Sequence, residues 1–336
     1  MDTPPPGAAL MQLTTAFWLP QALYVVARLG VADHLAQGPR DVEALAAAVG
    51  AHPPALRRVL RTLAAHGVFT EVEPGRYALT PVGATLRSGA PEAGRATVLS
   101  LVGPAMWQSA GALLHSVQTG RPAFDHVHGA PVFEWFGRQP EEGALFNDAM
   151  IGVHGAEPAA VAAAYDFSGV ATIVDVGGGT GNLLAAVLRA APDARGVLQD
   201  LPHVVAPARE RLGHLGLADR VEVVEGSFFD GVPPGGDAYL LSHVIHDWDD
   251  ARCGRILDHV RAALRPGGRV LLVEMVVPPG DAPHPSKVLD LVMLAVPGGQ
   301  ERTADEYRAL LAAAGLRLTR IVPTASPVSV VEAVAG

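Results

Sequence analysis

Thiols are almost missing from this chain. Its one cysteine, Cys253, excludes an internal disulfide framework and a cysteine-based zinc site. Lysine is equally scarce, with Lys287 alone among many arginines. Basic charge is in deficit overall, 25 Lys and Arg against 34 Asp and Glu, for a formal net charge of −9. A protein that relied on bulk attraction to nucleic acid would carry the opposite balance. No stretch approaches the roughly 18 uninterrupted apolar residues of a membrane span. The start, Met1-Asp2-Thr3-Pro4-Pro5-Pro6, lacks the basic and apolar regions of a signal peptide. These absences lead to the expectation of a soluble, cytoplasmic protein with no membrane or nucleic-acid partner.

What is present is globular. Of 336 residues, 49% are hydrophobic and 18% charged, which excludes wholesale disorder. The 37 Gly and 28 Pro fall short of a low-complexity composition. The length suits two domains or so.

The first periodic stretch, Leu10 to Leu29, reads as a helix that Pro20 should kink or split. Phe17, Trp18, Leu19, Leu23, Val25 and Val26 cover nearly every face, so burial on several sides and packing into a partner chain are expected. Asp41 can cap a helix over Val42–Val49 that Gly50 ends, and Pro53-Pro54 opens another that Gly67 stops. Val68–Val72 and Tyr77–Leu79 then form a hairpin around Pro74-Gly75. Two helices and a hairpin make a winged helix-turn-helix. Between Asp41 and Arg87 it carries five Arg against four acids, a poor phosphate footprint. A structural or dimerising module is therefore favoured over a DNA-binding one. From Pro91 to Tyr165 the chain reads as mostly helical, with Trp107, Phe124, Phe133, Trp135, Phe136, Phe146 and Met150 at core-like spacing.

From about Ala171, strands alternate with helices: Ala171–Val176, a strand ending at Gln199-Asp200, Val221–Val224, Ala238–Leu241, Arg269–Glu274, Leu316–Val322 and Val328–Ala333. That alternation predicts an α/β, Rossmann-like, doubly wound and mainly parallel sheet. The expected organisation is an N-terminal domain over 1–95, a helical linker over 96–165 and an α/β domain over 166–336.

The strongest local signal is Asp175-Val176-Gly177-Gly178-Gly179-Thr180-Gly181, where the first of these strands turns into a helix. Glycines there admit positive φ and let a ligand approach the backbone. A dinucleotide loop reads G-x-G-x-x-G and receives a pyrophosphate. This loop reads G-x-G-x-G behind an acid, and Asp175 would repel a phosphate but could help orient a cationic amino group. S-adenosylmethionine fits that description. Asp200, about 20 residues beyond the loop, can accept ribose hydroxyls or cap the following helix. Phe228 can stack on adenine or fill the core.

The segment Leu240-Leu241-Ser242-His243-Val244-Ile245-His246-Asp247-Trp248 follows the fourth strand, at the edge where open α/β sheets place chemistry. His246 is the candidate general base. Glu274 ends an apolar strand, where an acid needs a partner. Glu301 lies in Gly298-Gly299-Gln300-Glu301-Arg302-Thr303, ahead of a helix. No cluster of metal-ligand type is expected.

Taken in order, Ile173–Gly181, Asp200-Leu201-Pro202-His203, Gly226–Asp230, His246-Asp247-Trp248 and Gly298–Thr303 resemble the S-adenosylmethionine-dependent small-molecule O-methyltransferases, plant caffeate-type and actinobacterial. The likeness covers nearly the whole chain and implies a winged-helix homodimerisation domain and an aromatic acceptor from secondary metabolism. It implies His246 as catalytic base flanked by Glu274 and Glu301, Asp200 on the ribose, Gly177 at the methionine end and Phe228 against adenine. Asp175, Gly179, Leu201, Ser227 and Ser242 complete the expected cofactor set. Phe146 and Met150 match acceptor-lining positions, joined by Trp107 and Asp247. Ser227 stands where many members have an adenine-bonding Asp, and Ser242 where plant members have Lys. Val153 replaces a substrate-contacting His of the plant enzymes, which argues against a phenylpropanoid acceptor. Other readings are a methyltransferase-fold enzyme performing hydroxylation or decarboxylation, a winged-helix regulator, and a nicotinamide dehydrogenase, the last disfavoured by the loop.

Overall fold

The computed structural model describes residues 5–336. The chain divides into two compact units that interleave in sequence. One holds the residues up to Trp107 together with Gln139–Val153, and the other holds Gln108–Arg138 with His154–Gly336. The expected helical linker is thus shared between the two.

In the first unit the expected long helix is two, Pro6–Thr15 and Trp18–Leu29. The break falls at Ala16-Phe17, ahead of Pro20. Pro20 lies in the first turn of the second helix, where a missing N–H costs nothing. The expected burial is found in part: the second helix places Val26 in the core, with Leu23 and Leu29 packed against it, but the first does not. Pro6–Thr15 buries no residue, and Leu10, Met11, Leu13 and Trp18 are exposed. Helices Val42–Val49 and Pro53–Ala65 follow, and Gly50 ends the former in the left-handed region. Asp41 occupies the N-cap without a side-chain capping bond. Strands Phe69–Glu73 and Arg76–Leu79 pair as the expected hairpin, and the short Arg40–Asp41 joins its edge. Leu45, Leu56, Leu60, Leu63, Phe69 and Tyr77 form the core.

The second unit is built on seven strands: β1 (Thr172–Val176), β2 (Arg195–Asp200), β3 (Val221–Glu225), β4 (Gly236–Ser242), β5 (Leu264–Met275), β6 (Leu316–Pro323) and β7 (Val328–Ala335). Their order is β3-β2-β1-β4-β5-β7-β6. The first five are mutually parallel, and β7 runs antiparallel to both β5 and β6. Apolar residues on both faces of each central strand explain the continuous hydrophobic runs in the sequence. Ile173, Leu240, Leu271 and Val273 face one core, while Val174, Tyr239, Leu241, Val270 and Leu272 face the other. The period of two puts Glu274 on the second face, after Val270 and Leu272. Among the described residues no helix is long and apolar enough to cross a membrane.

Candidate active site

Because β1, β2, β4 and β5 are parallel, their carboxyl ends lie along one edge of the sheet. Each delivers a candidate residue there.

After β1 the glycine loop turns sharply. Gly177 has φ +69°, and a Cβ there would come within 3.0 Å of Val244 Cγ2 and 3.4 Å of the Phe228 ring. Its N–H donates to Gln199 O at 2.8 Å, which ties the loop to β2. Gly179 N–H donates to Asp200 Oδ2 at 2.7 Å, and Leu201 N–H to Oδ1 at 2.7 Å. The helix after β2 is capped at Leu201 rather than Asp200, so Asp200 serves the loop. Burial pushes its carboxyl up, partly offset by those two N–H groups. Asp175 is buried, and neither carboxylate oxygen has a hydrogen-bond partner. Burial, with the Asp200 charge beside it, pushes its pKa up to about 7. An orphaned carboxylate behind a glycine loop fits a ligand with a cationic amino group, and Asp200 retains lone pairs for hydroxyls. The residues present therefore suit S-adenosylmethionine.

Phe228 sits edge-on to Phe229 (4.9 Å) and Trp248 (6.1 Å), half-buried beside Gly177. Ser227 Oγ accepts the Phe229 N–H at 3.2 Å. Ser242 is the last residue of β4 and pairs in register with Val273.

His246 lies just past β4 in a single 3-10 turn, Ile245–Asp247. Its Nδ1 is 2.6 Å from Glu301 Oε1 and 3.6 Å from Glu274 Oε2. Its Nε2 is 3.6 Å from Asp247 Oδ1, too long for a hydrogen bond and free to take a proton. Glu274 is 0% exposed and accepts the Ile245 N–H at 3.0 Å, fixing the turn. The sheet thus brings together His246, Glu274, Glu301 and Asp247. Burial drives the His246 pKa down to about 4 despite the Glu274 charge, so the ring is neutral at pH 7. Burial drives the Glu301 pKa up to about 7. Asp247 and Glu274 are also raised by burial.

Other residues in the site escaped the sequence reading. Arg302, 1% exposed, donates to Ile245 O and Trp248 O, each at 3.0 Å, and to Asp250 at 2.7 Å. It laces the His246 turn to the Glu301 loop. Gln300 N–H donates to His246 O at 2.9 Å, and Glu301 N–H to Asp290 Oδ1 at 2.9 Å. Glu157 holds His243, three residues before the base, at 2.8 Å. Phe133 reaches Trp248 at 5.8 Å. The remaining acceptor candidates, Trp107, Phe146 and Met150, are half-buried residues of the first unit, where Trp107 lies 6.3 Å from Phe17.

Comparison with known proteins divides the chain once along the sequence, so Gln139–Val153 of the first unit falls within the second match. A model of the O-methyltransferase domain matches residues 111–317, and one of the O-methyltransferase dimerisation domain matches residues 11–89. Phenazine O-methyltransferase PhzM of Lysobacter antibioticus is 46% identical over 98% of this chain and 96% of its own. An O-methyltransferase of neocarzinostatin biosynthesis, crystallised with S-adenosylmethionine and 2-hydroxy-5-methyl naphthoic acid, is 39% identical with a TM-score of 0.81, covering 94% of this chain and 96% of that one. A third relative, 39% identical over 89% of this chain and 81% of its own, is aclacinomycin 10-hydroxylase of Streptomyces purpurascens.

Proposed function

The chain belongs to the S-adenosylmethionine-dependent O-methyltransferases, and from that premise we propose that it methylates a phenolic hydroxyl of an aromatic natural product, with His246 as general base. Bound at the glycine loop, S-adenosylmethionine supplies an electrophilic methyl whose leaving group is a neutral thioether. The chain's own residues meet the remaining demands. Asp200 holds the ribose hydroxyls. Gly177 and Gly179 admit the methionine end, and Asp175 answers its amino group through the loop. Leu201 and Phe228 flank the adenine, with Ser227 and Ser242 at its rim.

The acceptor is the harder partner, because a phenol near pKa 10 is mostly protonated at neutral pH. The observation that carries this reading is the buried His246–Glu301 contact at 2.6 Å. Glu301 accepts a hydrogen bond from Nδ1–H and holds that tautomer, which leaves the Nε2 lone pair to remove the acceptor's proton. Glu274 restrains the turn beneath the ring, and Asp247 stands on the Nε2 side toward the acceptor. The aromatic acceptor class is drawn from the relatives, which act on or bind a phenazine and a naphthoic acid. We further propose a homodimer, since Leu13 and Trp18 lie exposed within the dimerisation match.

Incubation with S-adenosylmethionine and a panel of hydroxylated phenazines and naphthoates tests the activity. The product should gain one methylene unit by mass. The hydroxylase relative makes a gain of one oxygen the competing outcome, and that result would overturn methyl transfer.

The pH profile tests the roles. Glu301, raised to about 7, is ionised above that pH and protonated below it. The neutral acid no longer stabilises the imidazolium that forms as His246 takes the acceptor's proton, so wild-type kcat/KM should fall as pH drops through about 7. His246, at about 4, stays neutral throughout that range. Glu301→Gln should be slower but level between about pH 6 and 8, measured with an acceptor that titrates near 10. A wild-type profile without that inflection counts against the role of Glu301.

A further inference from the structure

His243 stands next to the base and has no part in the chemistry described so far. Its backbone has φ +53°, a left-handed conformation that a non-glycine residue keeps only where its surroundings over-determine it. The surroundings do so. Its N–H donates to Val273 O at 3.1 Å, and its Nε2 meets Glu157 Oε2 at 2.8 Å. His154 stacks on one face of the ring at 4.5 Å and 7° from parallel, while the His246 ring lies 5.1 Å away.

These residue types could also hold an ion, since His154, Glu157 and His243 lie within ligand distance of one another. The stack argues against that. Parallel rings send their in-plane lone pairs along separate planes, and Glu157 already occupies Nε2 of His243.

We propose that His243 is a positioning residue for the methyl transfer: clamped to Glu157, it supplies a fixed positive charge facing His246 that balances the carboxylates crowded around the base. The proposal rests on the reading of His246 as general base. The groups around the pair bear it out. Glu274, Glu301 and Asp247 surround His246, and Glu157 lies behind His243. Arg302 is committed to two carbonyls and Asp250. His154 brings no charge, because burial pushes its pKa down to about 3. Burial also opposes a charge on His243, but the Glu157 hydrogen bond and the nearby carboxylates outweigh it and hold its pKa above the ordinary value. Against the burial that raises Glu301, the His243 charge is the leading counterweight. It also disfavours a proton on His246. Removing the charge should therefore raise Glu301, and that rise weakens catalysis at low pH.

Glu157→Gln keeps a hydrogen-bonding side chain and removes the anchoring charge. The acid limb of kcat/KM should move up by roughly one to three pH units, with the rate recovering toward wild type at higher pH. His243→Asn is the second variant, since Asn is among the residues best suited to left-handed backbone. It should shift the limb in the same direction. A limb left in place, or a rate lost equally at every pH, overturns the proposal.

Histidine ring resonances of the protein with S-adenosylhomocysteine give a readout free of turnover. The signal missing from His243→Asn should stay protonated above the ordinary histidine range in wild type and lose that property in Glu157→Gln. If it titrates as a free imidazole, the proposal falls whether or not methyl transfer is seen. If it is charged while wild type methylates no acceptor, the functional reading fails instead.

Discussion

Replacing His246 by Ala should lower kcat by roughly 10²–10⁴-fold, the usual contribution of a positioned acid or base. Affinity for S-adenosylhomocysteine, measured by calorimetry, should barely change. The split follows from the connections of the residue. Its side chain meets Glu301, Glu274 and Asp247, while the glycine loop is tied to β2 through Gln199 O and Asp200. The His246 carbonyl, which receives the Gln300 N–H, is untouched by the substitution. Equal loss of turnover and cofactor affinity would mean that the imidazole holds the site together rather than moving a proton.

Gly299→Ala should damage both activity and stability without touching a titratable group. A Cβ at this position would lie 1.9 Å from His246 O, 2.4 Å from Asp247 C and 2.6 Å from Trp248 N. All three are backbone atoms of the turn that carries the base, so no flexible side chain can swing aside. The loop must retreat, and Glu301 two residues later retreats with it. Overpacking of this kind typically costs about 1–3 kcal/mol. A displacement near 1 Å at a catalytic contact can cost about 10²-fold in rate. Thermal melting and kcat measured on the same preparation check both parts. Full activity in a normally stable Gly299→Ala protein would show that the approach of these two loops does not set the geometry of the base.

Much of this arrangement was legible in the sequence, for a physical reason. Strand-to-helix junctions announce themselves through apolar runs that stop at glycine or an acid; Gly177, Asp200 and Glu274 sit at such stops, and His246 lies four residues past the end of β4. Parallel topology then gathers them on one edge without any detail of packing. Pairings across long separations left no such mark. Glu157 and His243 are 86 residues apart, and Glu157 begins a helix of otherwise small apolar residues that carries no amphipathic pattern. Arg302 looks like any charge before a helix until the fold closes over it. The left-handed backbone of His243 is equally invisible, since histidine does not advertise positive φ as glycine does. At the N-terminus the apolar pattern suggested burial, and the single chain instead exposes the first helix. The pattern records that the surface avoids water, not which surface covers it.

Cys253 Sγ lies 3.2 Å from Ile245 O and 3.4 Å from Trp248 O, and burial pushes its pKa up to about 12. It is shut beneath the turn that bears the base and has almost no thiolate at neutral pH. The thiol is therefore shielded from oxidants and alkylating agents while the chain is folded. A thiol probe can react only when that turn lifts, so its rate of attachment clocks the opening of the catalytic loop, with no second thiol to confuse the count.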